Sequence, residues 1–166
     1  MLITEEYREQ NQALHDNPSF GISGQRYAAF IKDLCGMVGS RDILDYGCGK
    51  GTLQTALGFR ISEYDPAVEG KTDTPEPADI VICTDVLEHI EPECVDAVLG
   101  DLKRVTKRVL FATVCIIPAK KTLRDGRNAH LSIHPFHWWA EKFEERFNWR
   151  MFQSQGHTFI AVLEAK

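Results

Sequence analysis

No apolar run in the chain approaches the roughly 20 consecutive residues that a membrane-spanning helix needs, so a spanning protein is not expected. The opening MLITEEYREQNQALHD is polar and acidic early, and lacks the charged-then-apolar order of a secretory leader. No C-x-x-C pair occurs, and the five cysteines, Cys35, Cys48, Cys83, Cys94 and Cys115, are an odd number. Neither a disulfide framework nor a zinc cluster is therefore expected, no metal is assigned, and a reducing cytoplasm suits the thiols. Positive charge is in deficit: 19 Lys and Arg against 24 Asp and Glu leave a formal net charge of −5. A free-standing nucleic-acid binder needs a cationic face to neutralise phosphates, so nucleic acid is not an expected partner. Internal repeats and low-complexity tracts are missing as well. What is present, 43% hydrophobic and 26% charged residues over 166 positions, is the composition of a globular chain. That length suits one domain around one core, without separate cofactor and substrate domains.

The charge is unevenly spread. From Asp101 to Asn128 the chain carries Lys103, Arg104, Lys107, Arg108, Lys120, Lys121, Arg124 and Arg127 against Asp101 and Asp125 alone. A solvated helix face accounts for the first four, and the other four fall in a loop.

Periodicity orders the rest. Residues 3–16 read as a polar helix ended by Asp16-Asn17-Pro18, and Ser23 reads as a cap for a second helix over about 25–37. That helix puts Tyr27, Phe30, Ile31 and Leu34 on one face. Ile43 to Tyr46 is a short strand, Gly47 to Gly51 a glycine-rich turn, Thr52 to Leu57 a helix, and Arg60 to Tyr64 a second strand. Ala78 to Thr84 is a continuous apolar run that suits a strand buried on both faces. Pro92 opens a helix whose inward stripe is Val95, Val98, Leu99 and Leu102. Arg108 to Ile117 is another buried strand, residues 118–134 a long loop, and Pro135 to Phe147 an amphipathic helix. Residues 149–154 and 158–164 flank Gln155-Gly156-His157 as a terminal antiparallel hairpin. Strands alternating with helices predict an α/β sheet, mostly parallel, closed by that hairpin.

The run Ile43-Leu44-Asp45-Tyr46-Gly47-Cys48-Gly49-Lys50-Gly51-Thr52 carries the most chemistry. Alternate glycines between a strand and a helix let the backbone approach a ligand without a Cβ in the way. Asp65 ends the next strand eighteen residues after Gly47, where a carboxylate can accept both hydroxyl protons of a ribose. Together they predict an adenosine-type cofactor. A dinucleotide fingerprint is G-x-G-x-x-G, but here the third glycine arrives one place early. Asp45 ahead of the loop would repel a pyrophosphate and favour a cationic amine or sulfonium.

At these residues the sequence resembles the class I S-adenosylmethionine-dependent methyltransferases, whose first motif is a hydrophobic-hydrophobic-acid-x-G-x-G-x-G run. Glu63-Tyr64-Asp65-Pro66-Ala67 is similar to the family's second-strand motif, and Asp79 to Ile90 (DIVICTDVLEHI) to its fourth strand and following turn. The terminal hairpin is similar to the family's last two strands. The resemblance covers roughly residues 40–166. It implies a Rossmann-like doubly wound sheet, S-adenosyl-L-methionine as cofactor, and methyl transfer to a small acceptor. It also implies cofactor contacts from Asp45, Gly47, Gly49, Gly51, Asp65, Pro66, Thr84, Asp85 and Val86. One departure is measurable: only thirteen residues, three of them Gly70, Pro75 and Pro77, separate Asp65 from Asp79. A βαβ unit needs about 30 residues, so the family's third strand and its preceding helix are expected to be missing or reduced. Asp73 is the expected partner of the adenine amino group. Residues 1–38 are expected to form a helical lid over the core at 40–166, with Tyr7, His15 and Tyr27 as candidate contacts.

The resemblance places the acceptor over the ends of the strands at 78–84 and 108–117. His89 beside Glu88, and the dense polar run Asp125-Gly126-Arg127-Asn128-Ala129-His130, fall there. A guanidinium holds an anion bidentately and an imidazole can remove a hydroxyl proton. Arg127 with Asn128 is thus expected to bind the acceptor, His130 to be the base or orienting group, and His89 to assist. Each could equally be a group that satisfies loop backbone or the loop's own side chains. The aromatics of His134 to Trp139 read as core before substrate platform. No N-P-P-Y or D-P-P-Y turn and no Pro-Cys nucleophile follows the strand at 78–84, so base methylation of DNA is not expected. A small, anionic or sugar-like acceptor, methylated on O or N, is the expected substrate. Two alternatives stay open: a non-catalytic S-adenosylmethionine-binding module, and an NAD-dependent oxidoreductase favoured by the Gly47-to-Asp65 spacing.

Overall fold

The structure, a computed structural model, describes residues 1–15 and 21–166; the turn expected at Asp16-Asn17-Pro18 lies outside the described residues. Helix α1 (Glu5–His15) is polar and buries Tyr7. A 3-10 turn (Ser23–Tyr27) leads into α2 (Ala28–Val38), which buries Ala28, Ile31, Leu34 and Cys35 on its three- and four-residue spacing. It stops where Gly39 takes a left-handed φ of 70° and donates its N–H to the Cys35 carbonyl at 2.8 Å. Strand β1 (Ile43–Tyr46), helix α3 (Thr52–Leu57) and strand β2 (Ser62–Tyr64) follow. Then come β3 (Ala78–Thr84), two 3-10 turns (Leu87–His89 and Pro92–Cys94), α4 (Val95–Val105) and β4 (Thr106–Cys115). Helix α5 (Phe136–Glu144) and the hairpin of β5 (Phe147–Gln155) and β6 (Thr158–Ala165) end the chain.

Among the described residues the strands form one six-stranded sheet in the order β2-β1-β3-β4-β6-β5. The first four run parallel, and β6 is antiparallel to both β4 and β5. Side chains alternate across it. Leu44, Tyr46, Val81, Cys83 and Leu110 face the layer of α4 and α5, whereas Ile43, Ile80, Ile82 and Phe111 face α2 and α3. Helix α4 alone buries five apolar side chains, Val95, Val98, Leu99, Leu102 and Val105, each worth about 1.5–3 kcal/mol on removal from water.

The segment from Asp65 to Pro77 holds neither helix nor strand, so β2 is an edge, as its shortness requires. It folds on itself by turns instead: Asp65 N–H donates to the Lys71 carbonyl at 2.9 Å, and Lys71 N–H to the Val68 carbonyl at 3.1 Å.

Helices α2 and α4 begin about three residues later than the sequence reading has them, after 3-10 turns, and three strand boundaries differ as well. Strand β2 begins at Ser62, not Arg60, and β4 runs from Thr106 to Cys115, two residues earlier than expected. Phe147 is the first residue of β5, paired with Ala165, and not the end of α5. The four-residue spacing of Phe143 and Phe147 fits a helix, but a turn at Glu145-Arg146 delivers both into the same core. Trp139 is fully buried there, and Trp138 stacks on His134 with ring centroids 3.8 Å apart. Ser23 does not cap: its hydroxyl donates to Asp85 instead. All five cysteines are free thiols. Among the described residues no helix is long and apolar enough to cross a membrane.

Candidate active site

Strands β1 and β3 lie side by side while the connections that leave them diverge, β1 to β2 on one side and β3 to β4 on the other. Such a switch point opens a crevice at the carboxyl ends of the strands. A cavity of about 520 Å³ occupies it. The loop after β1 forms its floor. Gly47 has φ 78°, and a Cβ there would stand 2.4 Å from Cγ2 of Val86, so glycine is what lets the loops after β1 and β3 touch. Gly49 approaches Gly21 backbone to backbone: a Cβ on it would meet the Gly21 carbonyl oxygen at 2.8 Å. Gly47 N–H and Cys48 N–H both donate to the Tyr64 carbonyl, at 2.7 and 3.1 Å, which pins the loop to β2.

Two carboxylates stand beneath the loop. Asp65 is 6% exposed; its Oδ2 accepts from Gly49 N–H at 3.0 Å and its Oδ1 from Ala67 N–H at 2.9 Å. Each oxygen keeps a second lone pair that can accept a ligand hydroxyl. Asp45 is 3% exposed on β1, and burial, with Glu63 and Asp65 nearby, pushes its acid up to about 7. Lys71 opposes that rise: its Nζ donates to the Gly49 carbonyl at 3.2 Å and pairs with Glu63 at 3.2 Å. The floor is therefore short of positive charge, so a cationic ligand gains there and a diphosphate is repelled.

The opposite wall is the acceptor side of the sequence reading. Thr84, Asp85 and Val86 line the cavity at the end of β3. Asp85 has φ 60°, a left-handed conformation that few non-glycine residues take. Its N–H donates to Oγ1 of Thr113 at 3.1 Å, and the Ser23 hydroxyl donates to its Oδ2 at 2.7 Å. His89 and His130 meet edge to face with ring centroids 4.7 Å apart. His89 Nδ1 is 2.8 Å from the Ala129 carbonyl and His130 Nδ1 is 2.6 Å from that of Ile117. With each Nδ1–H donating to a carbonyl, Nε2 of each ring is the lone-pair atom. Desolvation holds the His89 imidazolium down to about 4, with His130 adding to the effect and Asp85 opposing it, so His89 is neutral at pH 7. Behind them Glu88 is fully buried. Its Oε1 accepts from Cys115 N–H at 2.7 Å, its Oε2 has no hydrogen-bond partner, and burial raises its acid well above the carboxylate range.

Other expected residues lie elsewhere. Asp73 is exposed and outside the cavity lining. Gly51 also lies outside it: a Cβ on Gly51 would stand 2.3 Å from Oε1 of Glu63, so this glycine makes room for the Glu63–Lys71 pair. Pro66 lines the cavity beside Asp65. Arg127 turns away from it, its Nε on Asp125 at 2.7 Å and its Nη2 3.9 Å from Glu6. Asn128 is spent on the loop itself: its Oδ1 accepts from Ala119 and His130 N–H, and its Nδ2 donates to the Ala119 carbonyl, all at 2.9 Å. The segment expected as a structureless loop is a miniature hairpin, with a bridge between Thr122 and Asn128 and Leu123 N–H on the Arg127 carbonyl at 2.8 Å.

Helix α1 contributes Tyr7 and His15 to the cavity lining, with His15 Nε2 3.9 Å from Oδ2 of Asp65. Tyr7 packs with Leu123 and Ala129 of the hairpin. Oγ1 and N–H of Thr4 clamp the same helix to Glu91 at 2.6 and 2.9 Å. Tyr27 lies outside the cavity lining and packs on Phe111 at 5.4 Å. The sequence reading missed Lys71, Ser23 and Cys115. Lys71 carried no signal, because a lone lysine in a turn-rich segment is ordinary surface.

Residues 15–161 match a protein family described as Methyltransferase domain. No curated protein sequence matches the chain. Among solved structures the chain is similar to a 1,6-didemethyltoxoflavin-N1-methyltransferase from Burkholderia thailandensis, crystallised with 1,6-didemethyltoxoflavin and S-adenosylhomocysteine. That likeness has a TM-score of 0.73 and 16% identity, and covers 100% of this chain and 92% of that one. A magnesium protoporphyrin IX methyltransferase from Synechocystis, with bound S-adenosylhomocysteine, is similar at a TM-score of 0.62 and 17% identity, covering 97% and 94% of the two chains. A protein from Pyrococcus horikoshii is similar at 0.64 and 16% identity, covering 98% and 92%. At these identities the likeness speaks for the fold.

Proposed function

The chain belongs to this methyltransferase domain family, and from that premise we propose that it moves the methyl group of S-adenosylmethionine to an oxygen or nitrogen of a small anionic or sugar-like acceptor. The observation that carries this reading is a single cavity whose floor is a glycine loop over buried carboxylates and whose far wall is a histidine pair. The second lone pairs of Asp65 accept the ribose hydroxyls. Gly47 and Gly49 admit the nucleoside to the backbone, and Asp45 compensates the cofactor's cationic methionine end. Both similar methyltransferases named above were crystallised with S-adenosylhomocysteine, which accords with this assignment. Helix α1 is the lid. On the acceptor side, Lys120 and Arg26 are exposed residues of the rim and favour an anion.

Methyl transfer is an in-line displacement: the acceptor lone pair bonds to the methyl carbon and the carbon–sulfur bond breaks with its electrons on sulfur. The leaving thioether is neutral and already good, so the protein's task is to position the acceptor and manage its proton. His130 and His89 are the groups for that task. Arg127 and Asn128 are not assigned to the acceptor, because Asp125, Glu6 and Ala119 hold their side chains.

Calorimetry with S-adenosylmethionine, S-adenosylhomocysteine and NAD tests the reading, followed by mass spectrometry for S-adenosylhomocysteine release from pools of phosphorylated, carboxylated and sugar acceptors. Binding of the two sulfur nucleosides with turnover on one pool is the expected result. Affinity for NAD alone overturns it. Cofactor binding without turnover on any pool makes the protein a binding module.

A further inference from the structure

We propose that Asp85, His89 and His130 bind a divalent transition-metal ion of the zinc and cobalt class, and that this ion presents a hydroxyl acceptor to the methyl donor; only the second half rests on the methyltransferase reading. No metal was expected from the sequence, which has no C-x-x-C pair; Asp85 and His89 are near neighbours in it, and His130 lies 41 positions beyond His89. The fold collects them. One ligand atom from each of the three lies within 4.8 Å of the others, at the wall of the cavity that also holds the glycine loop. Two imidazoles and one carboxylate with an open fourth position are the donor set of catalytic zinc sites, and borderline-soft nitrogen suits zinc and cobalt over magnesium.

Three further features fit. Each ring has its Nδ1 against a backbone carbonyl, Ala129 at 2.8 Å and Ile117 at 2.6 Å. That hydrogen bond fixes the tautomer that leaves the lone pair on Nε2, as it does for metal-bound histidines. Asp85 has φ 60°, with its N–H on Thr113 and its Oδ2 on Ser23, a backbone conformation of the kind that gathers at functional sites. Behind His130 stands a second donor group, Glu88 and Cys115, whose ligand atoms also lie within 4.8 Å of a His130 ring nitrogen. Glu88 is fully buried there, and its Oε1 accepts from Cys115 N–H at 2.7 Å. In a tetrahedral zinc site with bonds of about 2.0–2.1 Å, ligand atoms are about 3.3 Å apart. The set therefore closes by a small inward movement, chiefly of the exposed Asp85 side chain.

The chemistry balances without an oxidant. The acceptor oxygen takes the open position, where the cation makes its O–H more acidic. With both imidazoles on the ion, they position the acceptor and neither is its base: the proton leaves to water at the rim, an oxygen lone pair forms the new bond to the methyl carbon, and the carbon–sulfur pair departs on sulfur. Products are a methyl ether and neutral S-adenosylhomocysteine, and the ion is unchanged.

Co²⁺ titrated into chelator-stripped protein, followed by visible absorption, tests the site. Saturation at one equivalent with strong tetrahedral-type bands, displaced by Zn²⁺, is expected. His89→Ala, His130→Ala and Asp85→Asn should each weaken Co²⁺ by about tenfold or more, while His157→Ala, on the exposed hairpin turn, should not. Absence of those bands, or equal Co²⁺ binding in all four variants, overturns the proposal. Far-UV circular dichroism checks that each variant is folded. S-adenosylmethionine calorimetry on the stripped wild-type protein separates the two readings. Cofactor binding without Co²⁺ binding rejects the metal and leaves the methyltransferase assignment intact; Co²⁺ binding without cofactor binding rejects that assignment and keeps the ion.

Discussion

Asp45 stands where the alternation of β1 calls for an apolar side chain: its neighbour Ile43 packs into the layer of α2 and α3, and Asp45 is buried at the strand's end. Holding a carboxyl there costs solvation, and the acid rises to about 7 as a result. A cationic ligand returns the lost stabilisation of the anion. Asp45→Asn should therefore weaken S-adenosylmethionine by roughly 10- to 100-fold, the worth of one hydrogen bond to a charged group. Adenosine, which carries neither ammonium nor sulfonium, should change by less than about twofold, well below that charge-assisted term. The same residue makes affinity depend on pH. Below 7 the carboxyl is protonated and must give up its proton to meet the cation, so S-adenosylmethionine should bind about tenfold more weakly per unit of pH. Adenosine affinity should stay flat. Equal losses for the two ligands in calorimetry would show that Asp45 does not face the cationic end.

The hairpin at 118–130 and helix α1 act as elements. Asn128 ties the two arms of the hairpin through three hydrogen bonds, one of them to the N–H of His130. Under the proposed function it is a positioning residue, because these bonds fix the backbone that carries the imidazole. Asn128→Ala removes all three bonds. A displacement of about 1 Å in a reacting group can cost on the order of 100-fold, so kcat should fall by roughly 10- to 100-fold while the calorimetric affinity for S-adenosylmethionine holds. A loss confined to cofactor affinity would mean that the hairpin serves the lid instead. Tyr7 of α1 packs on Leu123 and Ala129 of this hairpin, so helix and hairpin share one small apolar cluster.

For the whole molecule, the buried acid sets a trade between stability and binding. The folded state raises Asp45 to about 7 from roughly 3.9 in an unfolded chain, so the folded protein binds the extra proton. The stability that goes with that proton is fully present below about pH 4 and is lost as pH rises through about 7. The loss amounts to as much as about 4 kcal/mol. Asp45→Asn should then melt above wild type at pH 8, with the gap closing by pH 4–5, in ligand-free thermal scans. Saturating S-adenosylmethionine should raise the wild-type melting temperature more than that of the variant at pH 8. A gap that is the same at both pH values would mean Asp45 is ionised throughout.

What the sequence determined on its own is local. The glycine turn, Asp65 at the end of β2 and the Thr84 to Val86 turn are each written within a few residues of a strand end. The thirteen residues between Asp65 and Asp79 already imply that a further strand and its helix are missing or reduced, because a full crossover needs about 30 residues. Composition sufficed for the layers, since a strand buried on both faces must be apolar throughout. Tertiary structure decided what depends on where side chains point. The side chains of Arg127 and Asn128 are held by Asp125, Glu6 and Ala119, and a polar run reads the same whether its groups face a ligand or one another. His89 and His130, 41 positions apart, become neighbours because β3 and the hairpin meet over one crevice, and Lys71 reaches the glycine loop because its segment folds back. Strand ends are fixed by short-range pattern, but contacts between loops depend on how distant elements pack, and that information is spread over the whole chain.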